Sequence, residues 1–173
     1  MPPPDLQRES DILLAHIADS FRHVTRNGGV SWSESVVIDR HGSAEERRAA
    51  RAKDTEKNWA ELVELQDWSP FAGVGGFSFL DAIGFRYYLA PAMIRCIRSG
   101  HDEGIRFYLT LSAGELRQHM LHSWSALDRR QRLCVARFLR YMTTVCDKRG
   151  EPGYGVEKEW WQEALDSYWV SLC

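Results

Sequence analysis

Three residues near the middle of the chain have types and spacing that suit metal chemistry. Glu115, His119 and His122 fall at i, i+4 and i+7, so a helix projects all three from one side. A carboxylate with two imidazoles is a ligand set that zinc or iron accepts. The spacing matches no H-E-x-x-H signature, however, and Glu115 has a competing role as the acid of a Ser112–Glu115 capping box. The structural role is the favoured one, and no metal or other cofactor is expected. A second cluster lies in FSFLDAIGFRYYLAPAMIRC, residues 77–96, where Arg86 stands beside Tyr87 and Tyr88. An arginine next to two tyrosines is equipped to bind an anion or to stack on a ring. If these side chains met His119 or His122 in a pocket, a histidine titrating near neutrality would supply acid–base chemistry.

Other patterns carry less. Gly73, Gly75 and Gly76 precede a helix, where backbone N–H groups can cradle a phosphate, but no Gly-Lys-Ser/Thr follows and no strand precedes. A connector that leaves Phe71 and Phe77 near the surface is the expectation. Arg129, Arg130, Arg137 and Arg140 share one face of a helix and suit an acidic protein better than nucleic acid, given a net charge of −2. The sequence has no G-x-S-x-G and no C-x-x-C, so neither a serine hydrolase elbow nor a zinc or thioredoxin-like site is indicated.

The elements that must position these residues read as helices. Leu13, Ile17, Phe21 and Val24 recur at helical spacing behind Ser10 and Asp11, and Asn27-Gly28-Gly29 offers a stop. Residues 1–10 are expected to be flexible. Ser31 with Glu34 and Ser43 with Glu46 are capping boxes. The second should open one long, charged surface helix running to Trp59 and Leu62. In the 77–96 segment, Phe85, Leu89, Ala92, Met93, Cys96 and Ile97 form one apolar stripe, with Ser78 and Asp81 able to cap the amino end. Pro91 lacks an N–H, and its ring crowds the carbonyl of Tyr87, so a kink or break near Leu89–Ala90 is expected. Leu116, Met120 and Trp124 make a further stripe, as do Cys134, Val135, Phe138, Met142 and Val145. The last helix sets Trp161, Leu165, Tyr168 and Leu172 on one side and leaves Trp160 and Val170 off it. Residues 105–111 read equally as helix or strand.

The text FLDAIGFRYYLAPAM resembles the signature of a bacterial family of small, functionally uncharacterised proteins, in which F-L-D-x-x-G-F-R-[FY]-Y-L-P-A recurs. GGVSW and GSAEERRAARAKDTEKNW are similar to that family as well, so the likeness covers about residues 12–144. The chain departs from the pattern at Ala90-Pro91, where the family order is Pro then Ala. The resemblance implies one mostly helical domain and supplies no activity.

With 173 residues, 44% hydrophobic and 27% charged, the chain has the composition of one soluble globular domain. The fold expected is all-α, a single compact domain spanning 1–173 with about six to eight helices and at most a minor short strand. No secretory leader or spanning segment is evident, and the scattered cysteines fit reduced thiols, so a cytoplasmic location is expected. Aromatic content of 12%, with seven tryptophans, favours a non-catalytic module that binds another protein, of the immunity or antitoxin type. Arg86, Tyr87, Tyr88, Arg137 and Trp160 are the candidate contact residues. The competing reading is a small-ligand binder or enzyme with a pocket near Arg86, Tyr87, Tyr88, His119 and His122. A homodimer is a further option, whereas nucleic acid and membrane are not expected partners.

Overall fold

The computed structural model describes residues 4–71, 73–149 and 154–172. Among these residues there are nine α-helices: α1 (Pro4–Ser20), α2 (Trp32–Asp39), α3 (Ala44–Arg51), α4 (Glu61–Glu64), α5 (Ala82–Ser99), α6 (Arg106–Leu109), α7 (Glu115–Ser123), α8 (Arg129–Arg149) and α9 (Tyr154–Ser167). Two of them, α4 and α6, are single turns, and 3₁₀ turns occupy Gly76–Phe79 and Trp169–Leu172. The described residues contain no strand, so the fold is all-α, and the ambiguous 105–111 segment resolves into α6 followed by extended chain.

Helix α5 is the centre. The expected stripe is buried, and so are Tyr87, Tyr88, Ala90, Pro91 and Ile94, so most of the helix is enclosed by the core, with Arg86 and Arg95 half-buried and Arg98 exposed at its end. It runs unbroken through Pro91 from Ala82 to Ser99, because enclosure by the core outweighs one missing hydrogen bond. Gly100 ends it in the left-handed conformation at φ 69°, which costs glycine nothing. Around it, α8 and α9 form a hairpin whose Phe138 and Trp161 rings meet edge to face at 5.7 Å. Helix α1 lies along α8 in the opposite direction: Gln131 donates to the Ser20 carbonyl, Arg130 pairs with Asp19, and Arg137 reaches back to His16.

Several local expectations change. Helix α1 begins at Pro4, inside the stretch expected to be flexible, because Leu6 extends the buried stripe one turn past the buried Ser10. Proline is tolerated in a first turn, where its N–H has no partner to lose. The same helix stops at Ser20, ahead of Asn27, although Phe21 and Val24 are buried as expected. Both early capping boxes form, with Ser31–Glu34 opening α2 and Ser43–Glu46 opening α3. The long charged helix does not form: α3 ends at Arg51, and the chain turns inward so that Asp54 and Glu56 meet Arg26. At α7 the cap is Gly114 with no side-chain bond, so the Ser112–Glu115 box is absent. Asp128 and Gln131 instead make an equivalent reciprocal pair at the start of α8, at 2.8 and 3.2 Å.

Candidate functional site

The two segments GGVSW and FLDAIGFRYY meet in space, and the contact explains most of their polar residues. Asp81 caps α5 by accepting the Gly84 N–H at 2.8 Å, and the same oxygen accepts the Val30 N–H at 3.0 Å. A Cβ on Gly84 would stand 2.4 Å from the Val30 carbonyl oxygen, so only glycine permits this approach. One turn further on, the Tyr88 hydroxyl accepts the Trp32 N–H at 2.9 Å and an Arg26 guanidinium N–H at 3.0 Å, and donates to Glu56 at 3.3 Å. Arg26 also donates to the Asp54 carbonyl at 3.0 Å, while the Asp54 carboxylate accepts the Ser33 N–H at 2.8 Å and its hydroxyl at 2.6 Å. Tyr88 is wholly buried, and burial pushes its hydroxyl well above the usual tyrosine range and raises the Glu56 carboxyl. This network is a closed structural lock: each hydrogen-bonding group at its centre is already engaged.

The neighbouring residues have structural partners too. Tyr87 packs edge to face on Tyr88 at 5.1 Å. Arg86 donates to the Ala126 carbonyl at 3.1 Å, bracing α5 against the turn between α7 and α8. Its Nε is buried without a hydrogen-bond partner among the described residues. The buried Glu34 is held by Arg47 at 2.9 Å and Arg51 at 2.6 Å, two ion pairs that no local pattern beyond the capping box announces. In the glycine loop, the N–H groups of Gly75 and Gly76 go to Asp39 at 2.9 Å and Ser35 at 2.8 Å. No phosphate cradle is left there. Phe71 is exposed as expected, whereas Phe77 is buried.

Tyr88 and His119 line different cavities, and Arg86 is instead tied to the turn after α7. Tyr88 lies at the base of a cleft of about 200 Å³ beside Trp32, Trp68 and Glu56. His119 lines another cavity, of about 260 Å³, with Phe107, Tyr108, Leu116 and Met120. Glu115, His119 and His122 are exposed on α7, and no group of three His, Cys, Asp or Glu side chains among the described residues is placed to hold a metal ion. Cys96 and Cys134 are buried thiols, and burial raises both well above the usual range, which leaves them unreactive.

A different surface stands out around α6. Four large apolar side chains are exposed there: Phe71 at 71%, Phe107 and Leu116 at 54% each, and Trp160 at 44%. They share one neighbourhood. Phe71 lies on Gly104, where an added Cβ would come within 2.9 Å of its ring. Phe107 and Leu116 line the His119 cavity, and Arg106 lies over the Trp160 ring at 4.7 Å. Trp160 was legible from its position off the last helix's stripe. Leu116 was misplaced, since its four-residue step to Met120 reads as core. Phe107 had no readable signal inside an ambiguous segment. Arg137, also a candidate from sequence, is exposed on α8 and donates to His16 Nδ1 at 3.4 Å.

No helix among the described residues is long and apolar enough to cross a membrane. Neither a curated protein nor a solved structure matches the chain. Residues 9–172 do match one family model, so the chain belongs to a family of unknown function, DUF6714.

Proposed function

We propose that the chain is a non-catalytic protein-binding module whose docking surface is centred on α6. The observation that supports it most is the exposed apolar group of Phe71, Phe107, Leu116 and Trp160 around that single turn. Apolar side chains gathered in this way mark interaction surfaces, and aromatic anchors beside a cavity are the usual energetic centre of an interface. The rim is mixed: Glu115 precedes Leu116, Glu159 and Glu163 lie beside Trp160, and all three are exposed with no ion pair among the described residues, as is Arg117, while Arg106 is paired with Asp102. The partner fitting this surface is a protein that inserts an apolar side chain into the Phe107–Leu116 cavity and carries basic residues opposite these glutamates. An inhibitor of the immunity or antitoxin type is a role of this kind, and a second copy of the chain is the alternative partner.

The test is reconstitution from purified components. A partner captured from the native host must form a stoichiometric complex with the pure chain. Phe107→Ser with Leu116→Ser must abolish that complex while thermal unfolding stays unchanged. A complex that survives the double substitution contradicts the proposed surface. Light scattering that shows a dimer sensitive to the same pair would assign the surface to self-association.

The competing reading, a small-ligand site, draws on the cleft of about 200 Å³ beside Trp32 and Trp68. It is the weaker reading because the Tyr88 hydroxyl at its base is buried and fully engaged.

A further inference from the structure

The groove between α1 and α8 lies apart from the α6 surface and has a different chemistry. Its volume is about 380 Å³. That falls within the roughly 300–1,000 Å³ typical of small-molecule sites, which the clefts of about 200 and 260 Å³ do not reach. Its apolar wall is Ile12, 61% exposed, with Leu13 beneath it and Tyr141 opposite. Its polar edge is Arg137 and Arg140, one helical turn apart on α8.

Neither guanidinium is paired with an acid among the described residues. Arg130, in the same row, is paired with Asp19, but among those residues Arg137 donates to the imidazole Nδ1 of His16, which must be neutral to accept it. Arg140 makes no ion pair among the described residues, although Glu9 lines the same groove. The opposed directions of α1 and α8 place Glu9 at the Thr144 end and His16 at the Arg137 end. Burial, then Arg137 and Arg130, lower the His16 pKa, so the imidazole stays neutral at neutral pH.

We propose that this groove binds a small carboxylic acid with an apolar tail, with Arg137 and Arg140 holding the carboxylate and Ile12, Leu13 and Tyr141 covering the tail. A guanidinium is suited to this role because its planar fork presents paired N–H donors to both carboxylate oxygens. Arg137 is the primary anchor, since it lies farther from the competing Glu9.

The test is a titration of the full chain, followed by calorimetry and NMR, with octanoate, 1-octanol and octylammonium as probes. Octanoate should saturate a single site, and octylammonium should not bind. Arg137→Gln should weaken octanoate about tenfold or more, in line with loss of a charge-assisted bidentate contact. Ile12→Ser should also weaken it, and Glu9→Gln should strengthen it. All three positions are exposed, and unfolding curves will verify that the variants fold. The Phe107→Ser, Leu116→Ser protein should bind octanoate as the unmodified chain does, which separates this site from the α6 surface. Equal binding of octanol and octanoate, or an Arg137→Gln protein with unchanged affinity, overturns the proposal. So does binding of an acidic, leucine-rich peptide without octanoate, or a dimer that Arg137→Gln dissociates, because either gives the groove a protein occupant.

Discussion

Tyr87 and Tyr88 are adjacent, both buried and both on α5, yet removing their hydroxyl groups should have very unequal consequences. Tyr88→Phe deletes the oxygen that accepts from Trp32 and Arg26 and donates to Glu56. Two of those partners are charged, and hydrogen bonds to charged groups contribute roughly 1.5–3 kcal/mol each, against about 1 kcal/mol for a neutral pair. Arg26 keeps the Asp54 carbonyl and its 3.4 Å contact with Glu56, so the full sum is not lost. A net destabilisation of about 2–4 kcal/mol follows. For a chain of this size each kcal/mol moves the midpoint by roughly 2–4 °C, which gives a fall of about 5–15 °C. Tyr87→Phe removes a hydroxyl with no hydrogen bond among the described residues and should stay within about 0.5 kcal/mol. Thermal and urea unfolding of both variants is the assay. If Tyr88→Phe moves the midpoint by less than about 2 °C, or the two variants fall together, the lock does not hold these segments and the reasoning fails.

Four further outcomes follow from the same geometry. Gly84→Ala should destabilise by about 1–3 kcal/mol in denaturant unfolding, because its Cβ would face a backbone carbonyl that cannot move aside. Arg86→Ala should lower stability by about 1–2 kcal/mol through loss of the Ala126 bond and its packed stem, without changing partner affinity. Folding lowers the His16 pKa from 6.5, so the unfolded chain takes up this proton first as pH falls. The stability due to neutral His16 is therefore complete above pH 6.5 and is lost as pH falls through the lowered value. His16→Gln should remove that segment of the stability–pH curve. Finally, Ser43→Ala removes the cap of α3 and should cost about 1 kcal/mol, measured by urea unfolding.

The architecture was legible where sequence acts locally. Helical spacing and short-range capping identified α2, α3 and α8, and the apolar density of residues 85–97 marked α5 as core, because periodicity and caps are encoded within a few residues. Interactions across long separations were not legible. Nothing near Asp54 or Glu56 announces Arg26, so the charged text after Arg51 read as helix continuing over the surface. Tyr88 looked like a functional side chain because an arginine–tyrosine cluster has the composition of a binding site, and only its distant partners reveal it as a lock. Surface anchors showed the reverse error. Leu116 sits at core spacing yet is 54% exposed, because it lies in the first turn of α7 beside a cavity and outside the packed core. The exposure of Trp160 was legible because it departs from its helix's apolar face.

The 77–96 segment holds the fold, and the proposed docking surface lies apart from it, around α6. The most direct measurement is the affinity of the purified partner for three proteins: the unmodified chain, Arg86→Ala, and the Phe107→Ser, Leu116→Ser double variant. All should be measured at a temperature where each is folded. Loss of two anchors worth about 1–2 kcal/mol or more apiece predicts that the double variant binds at least about 30-fold more weakly. Arg86→Ala should bind within about twofold of the unmodified chain, since Arg86 reaches the Ala126 carbonyl, away from the α6 surface. A selective loss in Arg86→Ala, with the double variant unaffected, would place function in the signature segment and contradict the account.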